Sequence, residues 1–239
     1  MTVEGKNAVS ELIKTQKTID KVLVQNGMRD AESKKLLFEL REAGIKVAFA
    51  DKSVLDKQCK SGRHQGFIAF VTDFEYADFD EMLEKTEGKD CFFLVLDGIE
   101  DPHNLGSIIR VAECGGLDGI IIGKHRSASV TDTVMRISEG GANHVAIAKE
   151  RNINDCIDKL KDAGVWVYGL ELCGSDLYKT DLKGRIAIVI GGEDTGINRL
   201  TKQKCDGVVS IKMHGKINSL NASVATGVAV FEALRQRNG

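Results

Sequence analysis

The stretch "CFFLVLDGIEDPHNLGSIIRVAECGG", residues 91–116, decides the fold class of this 239-residue chain. It opens with a near-continuous apolar run, residues 91–97, which is typical of a strand buried on both faces. A loop with Pro102, the only proline of the chain, then leads into an apolar segment that predicts a helix over 104–114. A strand, a loop and a helix in this order form the repeating unit of a parallel sheet covered by helices.

The same alternation continues to the end of the chain. Further apolar runs predict strands, and helices are predicted between them, of which the last covers 219–237. The predicted strands lie at 118–123, 144–148, 165–172, 185–191 and 207–213. The periodicity therefore predicts an α/β domain with a parallel sheet over residues 91–239.

Residues 1–71 predict a separate, smaller α/β unit, in which Asp30 is the expected N-cap of a helix over 30–43. A further helix is predicted over 6–17. This unit carries thirteen Lys and Arg against nine Asp and Glu, a mildly basic balance that fits either a nucleic-acid surface or an ordinary solvated one. Residues 72–90 carry two basic against eight acidic residues and predict an acidic linker with a short helix.

The composition indicates a globular protein, with 42% hydrophobic and 28% charged residues and a net charge of −2. No apolar run reaches membrane-spanning length and the first residues lack a signal-peptide layout, so we expect a cytoplasmic protein with no membrane partner. Six cysteines form no CxxC pair, which argues against a zinc site and fits reduced thiols. No metal ligands are predicted.

Three common enzyme classes lack their sequence signatures. No GxGxxG follows the strand at 91–97, no GxxxxGK[ST] occurs, and no GxSxG occurs. Dinucleotide-binding, P-loop and serine-hydrolase chemistry are therefore not indicated.

Polar residues follow the predicted strand at 91–97. Asn104 lies where a helix N-cap is expected, and capping is the alternative to a role in a site. Arg110 stands among apolar residues, and a buried guanidinium requires an anion or a carbonyl partner. Phosphate matches its fork, whereas an i,i+3 pair with Glu113 is the structural alternative.

Two more clusters follow later strands. "GGEDTGINR", residues 191–199, places Glu193 in a glycine-rich turn, where the acid either serves a site or only caps a helix. Residues 211–237 place Asn218, Ser219 and Asn221 at the start of a helix rich in small residues, and a cap needs only one of them.

Together the three clusters resemble the signature motifs of the SpoU (TrmH-type) RNA ribose methyltransferases of the SPOUT superfamily. The N-x5-R element matches Asn104 and Arg110, and the G-x-E-x-x-G element matches Gly191, Glu193 and Gly196. The S-L-N element matches Ser219, Leu220 and Asn221. "EGKNAVSEL" and "RHQGFIAF" in residues 1–71 are similar to the amino-terminal domain of the RlmB branch.

The resemblance implies transfer of a methyl group from S-adenosylmethionine to a ribose 2′-hydroxyl in RNA. It implies a trefoil-knotted parallel-sheet domain over residues 91–239 and a ribosomal-protein-like RNA-binding domain over residues 1–71. Members of the family are dimers through the last helix. The catalytic residues it implies are Asn104, Arg110, Glu193, Ser219 and Asn221, and the cofactor-binding residues are Gly191, Ile211 and Leu220, with Met213 and Leu170 from adjacent strand ends.

The RlmB branch implies a guanosine of large-subunit (23S) ribosomal RNA as the target. Two alternatives stay open: a transfer-RNA ribose methyltransferase, and a non-catalytic RNA-binding or antibiotic-resistance-linked relative. The chain departs from the family pattern at Lys212, where proline is common, and at Asp194-Thr195, where small residues are frequent. Neither change removes a group that the reaction needs.

Overall fold

A computed structural model describes residues 1–15, 18–72, 74–193 and 195–239. The described chain forms two compact units. The first comprises Met1–Glu75 with Ser129–Asp132, and the second comprises Tyr76–Ala128 with Thr133–Gly239.

The first unit contains a four-stranded mixed sheet in the order β1-β4-β2-β3. Its strands are β1 Thr2–Glu4, β2 Thr18–Gln25, β3 Val47–Ala50 and β4 Phe67–Thr72, and its helices are α1 Lys6–Ile13, α2 Ala31–Glu42 and α3 Lys52–Gln58. Strand β2 is parallel to β3, and β4 is antiparallel to both β1 and β2. Apolar residues of α1, α2, β2 and β4 pack into one core.

Asp30 caps α2, because its carboxylate accepts a 3.0 Å hydrogen bond from the Ser33 backbone N–H. This prediction is confirmed. Helix α1 ends earlier than expected, at Ile13, and the predicted residues 16 and 17 lie outside the described part of the chain. Strand β1 was not predicted, since three residues are too few to show periodicity.

The acidic segment 72–90 carries the short helix expected of it, α4 Phe79–Glu84. Phe79 and Met82 are buried in the core of the second unit, so this helix packs as part of that unit and does not stand free. The acidic residues cover its solvent face. Asp73 lies outside the described residues.

The second unit contains a six-stranded sheet in the order β10-β8-β9-β5-β6-β7. All neighbouring strands in it are parallel, as the apolar runs predicted. The strands are β5 Cys91–Asp97, β6 Gly119–Gly123, β7 Ile147–Glu150, β8 Trp166–Asp176, β9 Arg185–Gly191 and β10 Gly207–Ser210. The helices are α5 Pro102–Cys114, α6 Asp132–Ile137, α7 Ile153–Asp162, α8 Arg199–Lys204 and α9 Ala222–Asn238.

Strand β5 is the centre of this unit, because all seven of its residues are buried. It pairs with β9 on one side and β6 on the other. The chain leaves the carboxyl end of β5 toward β6 and the carboxyl end of β9 toward β10, in opposite directions along the sheet. In open α/β sheets a ligand binds beside such a reversal of strand order. The topology therefore points to the carboxyl ends of β5 and β9.

Helix α9 returns across the sheet and packs against α5. Its Arg237 side chain donates hydrogen bonds to the backbone oxygens of Cys91 (3.0 Å) and Gly184 (2.7 Å), which fixes the helix end beside β5 and β9. Strand order and contacts do not establish how the chain is threaded, so the trefoil knot stays a prediction. In the described part of the chain, no helix has the length and hydropathy to cross a bilayer.

Candidate functional site

Three predicted residues from three separate segments meet through one amide group. Asn221 Nδ2 donates to Asn104 Oδ1 at 2.8 Å and to Glu193 Oε1 at 2.5 Å. Asn104 is buried in α5, and Glu193 follows β9. The amide cluster, as we call Asn104, Glu193 and Asn221, therefore joins the first turn of α5 and the turn after β9 to the start of α9.

Asn221 also begins α9. Its Oδ1 accepts hydrogen bonds from the backbone N–H groups of Ser223 (3.0 Å) and Val224 (3.3 Å), two donors that have no partner within the helix. Capping uses the amide oxygen, and the amide cluster uses the nitrogen. The two roles that the sequence offered for this asparagine are thus filled by one side chain.

Asn104 does not cap its helix. Helix α5 begins two residues earlier, and Asp101 is the N-cap, accepting from the His103 backbone N–H at 3.1 Å. Pro102 occupies the first turn, where its missing N–H costs no hydrogen bond. The expected cap at Asn104 is therefore wrong, and its side chain is available to Asn221.

The glycine turn, residues 191–193 and 195–198, holds Glu193 in place through close backbone approach. A Cβ atom on Gly191 would lie 2.2 Å from the Gly196 carbonyl carbon, and one on Gly196 would lie 2.8 Å from Glu171 Oε1. Gly196 also has a φ of +62°, which side chains rarely tolerate. Asp194 lies outside the described residues.

Two carboxylates that the sequence did not single out tie this turn to the sheet. Buried Asp97, the last residue of β5, accepts from the Asn198 backbone N–H at 2.8 Å and from Asn198 Nδ2 at 2.6 Å. Glu171 of β8 accepts from the Ile197 backbone N–H at 2.8 Å. An acid at the end of a buried strand was the available signal for Asp97, whereas Glu171 lay inside a predicted strand and gave none.

Arg110 is exposed, contrary to the expectation that its apolar neighbours bury it. Ile108, Ile109 and Ala112 face the core, and Arg110 lies on the solvent side of α5. Its Nη1 contacts Glu139 Oε1 at 2.6 Å, with side-chain exposures of 51% and 67%. The alternative partner, Glu113 on the same helix, is therefore not the observed one. The partner is Glu139, which follows α6.

Arg110 and Asn104 point away from one another on α5. Six residues of helix separate them by about 9 Å along the axis and about 120° around it. Asn104 joins the amide cluster, whereas Arg110 lies beside Glu139, which has a left-handed φ of 50°. Nothing in the sequence linked Glu139 to Arg110.

A cavity of about 600 Å³ lies beside the carboxyl ends of β8 and β10. Of the predicted cofactor-binding residues, Ile211 and Met213 line it. Leu170 of β8 pairs with Ile190 of β9, the residue before Gly191. Leu170 and Gly191, both predicted to bind the cofactor, do not line the cavity. The residues that line the cavity are Leu172, Cys173, Gly174, Asp176, Ser210, Ile211, Lys212, Met213 and Asn218.

Ser219 and Leu220 lie in the crossing segment, residues 211–220, which connects β10 to Asn221. Both are exposed, Leu220 by 38%. The structure does not bring either side chain into the amide cluster, which Asn221 alone joins from this motif.

Comparison with known proteins assigns both units. Residues 91–231 match the SpoU rRNA Methylase family, and residues 2–77 match a family described as RNA 2'-O ribose methyltransferase substrate binding. A TrmH family tRNA/rRNA methyltransferase of Staphylococcus aureus (strain COL) is 41% identical over 99% of this chain and 96% of its own.

Solved structures share the fold. The SpoU methyltransferase AviRb from Streptomyces viridochromogenes, in complex with AdoMet, matches with a TM-score of 0.63 and 23% identity over 99% of this chain and 90% of its own. An AdoMet-bound rRNA methyltransferase from Sinorhizobium meliloti matches with a TM-score of 0.63 and 24% identity, over 98% and 86% of the two chains. By the family match over most of its length and by this close relative, the chain belongs to the SpoU (TrmH-type) family of RNA methyltransferases.

Proposed function

We propose that this protein transfers the methyl group of S-adenosylmethionine to a ribose 2′-hydroxyl in RNA, on a guanosine of large-subunit ribosomal RNA. The observation that carries the proposal is the amide cluster, in which one asparagine ties all three family motifs together. The match of the first unit to a substrate-binding family supports RNA as the substrate.

The residues present fit the cofactor that family membership implies. A volume of about 600 Å³ is in the range of small-molecule sites, and the lining combines apolar side chains with the Asp176 carboxylate and the Ser210 hydroxyl. Ile211 and Met213 would hold the cofactor from this side, and Gly191, Leu170 and Leu220 from the adjacent strand ends and crossing segment. When bound, S-adenosylmethionine supplies an electrophilic methyl group.

The protein's own residues orient the reactants. Asn104, Glu193 and Asn221 hold the start of α5, the turn after β9 and the start of α9 in register, and the exposed Ser219 contacts the ribose. Fixed orientation replaces a bimolecular encounter and supplies a large part of the rate. The two asparagines act by positioning, since an amide exchanges no proton in the reaction, and Asn221 holds the Glu193 carboxylate in place.

Arg110 grips an RNA phosphate and stabilises the charge that develops on the 2′-oxygen. A guanidinium stays protonated in proteins, so Arg110 does not accept the hydroxyl proton, which passes to water or to a neighbouring acceptor. The contact with Glu139 uses one of its five N–H donors, and the phosphate engages the fork in competition with this carboxylate.

The Arg110→Lys variant tests this role. We expect turnover to fall by about 10²-fold or more, because an ammonium loses the bidentate geometry, while cofactor affinity stays unchanged. Near-full turnover with unchanged cofactor binding would contradict the proposed contact between Arg110 and an RNA phosphate.

We further propose that the protein is a homodimer through α9. Val224 and Phe231 are exposed one above the other on this helix, at 51% and 52%. Because Arg110 points away from the amide cluster of its own chain, we propose that a second copy packed on the α5–α9 face supplies its guanidinium to that cluster. Sedimentation of the full chain tests the dimer, and the Phe231→Glu variant should shift it to a monomer.

Mapping of ribose methylation separates the candidate substrates. Ribosomal and transfer RNA from cells with and without the gene are compared nucleotide by nucleotide. Loss of one 2′-O-methylguanosine from large-subunit RNA is the expected result. Loss from transfer RNA instead would favour the transfer-RNA alternative, and no loss in either RNA would favour a non-catalytic relative.

A further inference from the structure

The end of α3 and the loop that follows it form the most cationic stretch of the first unit. Residues 57–63 read KQCKSGR, with three cations and no acid. Lys57, Lys60 and Arg63 are all exposed. Among the residues that the structure describes, none of the three forms an ion pair with a carboxylate. We call residues 57–63 the basic loop.

One carboxylate holds the backbone of the basic loop. Glu4 of β1 accepts hydrogen bonds from the backbone N–H groups of Lys60 (2.7 Å) and Ser61 (2.9 Å), from the Ser61 hydroxyl and from the Cys59 thiol (3.0 Å). These donors, the Ser61 hydroxyl foremost, lower the pKa of Glu4 to about 2. Glu4 is therefore ionised, and its carboxylate oxygens are used by donors of the loop. These hydrogen bonds fix the loop backbone without a ligand.

Asp56, a second acid beside the loop, also has a hydrogen-bond partner within the protein. His64 is buried, and its Nδ1 accepts from the Gly66 backbone N–H at 2.9 Å. Its other ring nitrogen, Nε2, therefore carries a proton and donates to Asp56 Oδ1 at 2.9 Å. His64 is thus a structural residue, and both of its ring nitrogens are used within the protein.

We propose that the basic loop is the surface of the first unit that binds the phosphate backbone of the RNA substrate. The inference rests on the proposed function, which supplies the polyanion. Three exposed cations on a loop already fixed by Glu4 bind with little loss of conformational freedom. Contacts of these cations with phosphate would position the RNA on the first unit.

Helix α2 provides a matched control on the same unit. Lys34, Lys35 and Arg41 are exposed there and carry the same total charge as the basic loop. Three acids, Glu32, Glu39 and Glu42, lie on the same helix, and Lys35 Nζ lies 3.9 Å from Glu39 Oε1. Removing either set of cations changes the net charge of the protein equally.

The test is a titration of the full-length protein with a labelled transcript of unmodified large-subunit ribosomal RNA at several salt concentrations. For K57A/K60A/R63A we expect affinity to fall roughly 10- to 100-fold at low salt, and the slope of log affinity against log salt to shrink by about two. For K34A/K35A/R41A we expect a change below about threefold, since three acids on the same helix repel a polyanion there.

Equal weakening by both triple variants, or no change from the loop variant, would overturn the inference. The charge-preserving K57R/K60R/R63K variant guards against misfolding, and it should bind within about twofold of the wild type. If it binds as weakly as the alanine variant, the loop acts through structure and not through charge. Failure of the wild-type protein to methylate any RNA would instead overturn the proposed function.

Discussion

The glycine turn and the crossing segment approach the candidate site from two sides, and they are built differently. Two carboxylates, Asp97 and Glu171, and close glycine contacts hold the turn against the sheet. The crossing segment is mainly exposed from residue 212 onward, and it joins the amide cluster only through the residue that follows it, Asn221.

This difference indicates which half of the site is fixed before ligands bind. The turn is fixed by the protein's own hydrogen bonds, so its sequence tolerates little change. The crossing segment has few groups to order it, so we expect its order to depend on what binds. Substitutions on the two sides should therefore have unequal effects.

The largest contrast should come from two glycines. Gly191→Ala places a methyl group 2.2 Å from a backbone carbon of the turn, whereas nothing lies within 4 Å of a Cβ atom on Gly215 in the crossing segment. We expect Gly191→Ala to lower methylation at least about 100-fold, because backbone must shift, and Gly215→Ala to change it less than about twofold. Equal effects in a methylation assay would contradict the comparison.

The next effect should come from the strand end. Asp97→Asn replaces a carboxylate oxygen by an amide that faces the donors of Asn198, so we expect the free energy of unfolding to fall by about 2 kcal/mol. Glu100→Gln, an exposed carboxylate nearby, should change it by less than about 0.5 kcal/mol. Denaturant unfolding measures both, and a destabilisation of similar size in the two variants would mean that Asp97 does not anchor the turn.

Asn221→Ser separates the two roles of the residue that joins both sides. Serine is a good N-cap, so the free energy of unfolding should change by only about 0.5 kcal/mol. The donor to Asn104 and Glu193 is lost, and we expect turnover to fall about tenfold or more. If turnover survives while stability collapses, capping is the main role of Asn221.

The smallest effect extends the comparison to the first unit, where Glu4 anchors a loop as Asp97 anchors the turn. The folded pKa of Glu4, about 2, is below its ordinary value of 4.5, so its contribution is present above pH 4.5 and is lost as pH falls through about 2. Below pH 4.5 the unfolding midpoint of the wild type should therefore fall more steeply with pH than that of Glu4→Gln. Parallel pH profiles would show that Glu4 does not anchor the loop through its charge.

The pattern of apolar residues predicted those strands well that are buried on both faces of the sheet. Residues 91–97 and 185–191 are strands at the predicted bounds, because a strand buried on both faces leaves a continuous apolar run. Strand β1 and the packing of Phe79 escaped prediction, since both depend on partners distant in the chain.

The motifs placed Asn104, Glu193 and Asn221 in one site, but local rules did not say how they meet. For Asn104 the sequence left a cap and a site role open, and it expected Arg110 to be buried. Asp101 caps the helix instead, and Arg110 lies on the solvent face while its apolar neighbours face the core. Asp97, Glu171 and Glu139 were missed for a common reason: each acts across an interval of sequence that no spacing rule spans.

One reaction tests the central claim most directly. The purified protein, S-adenosylmethionine with a labelled methyl group and unmodified large-subunit ribosomal RNA are incubated, and the RNA is digested to nucleosides for mass spectrometry. The account predicts labelled 2′-O-methylguanosine with the wild type and a large reduction with Arg110→Lys. Label on a base, or no label in any nucleoside, would contradict it.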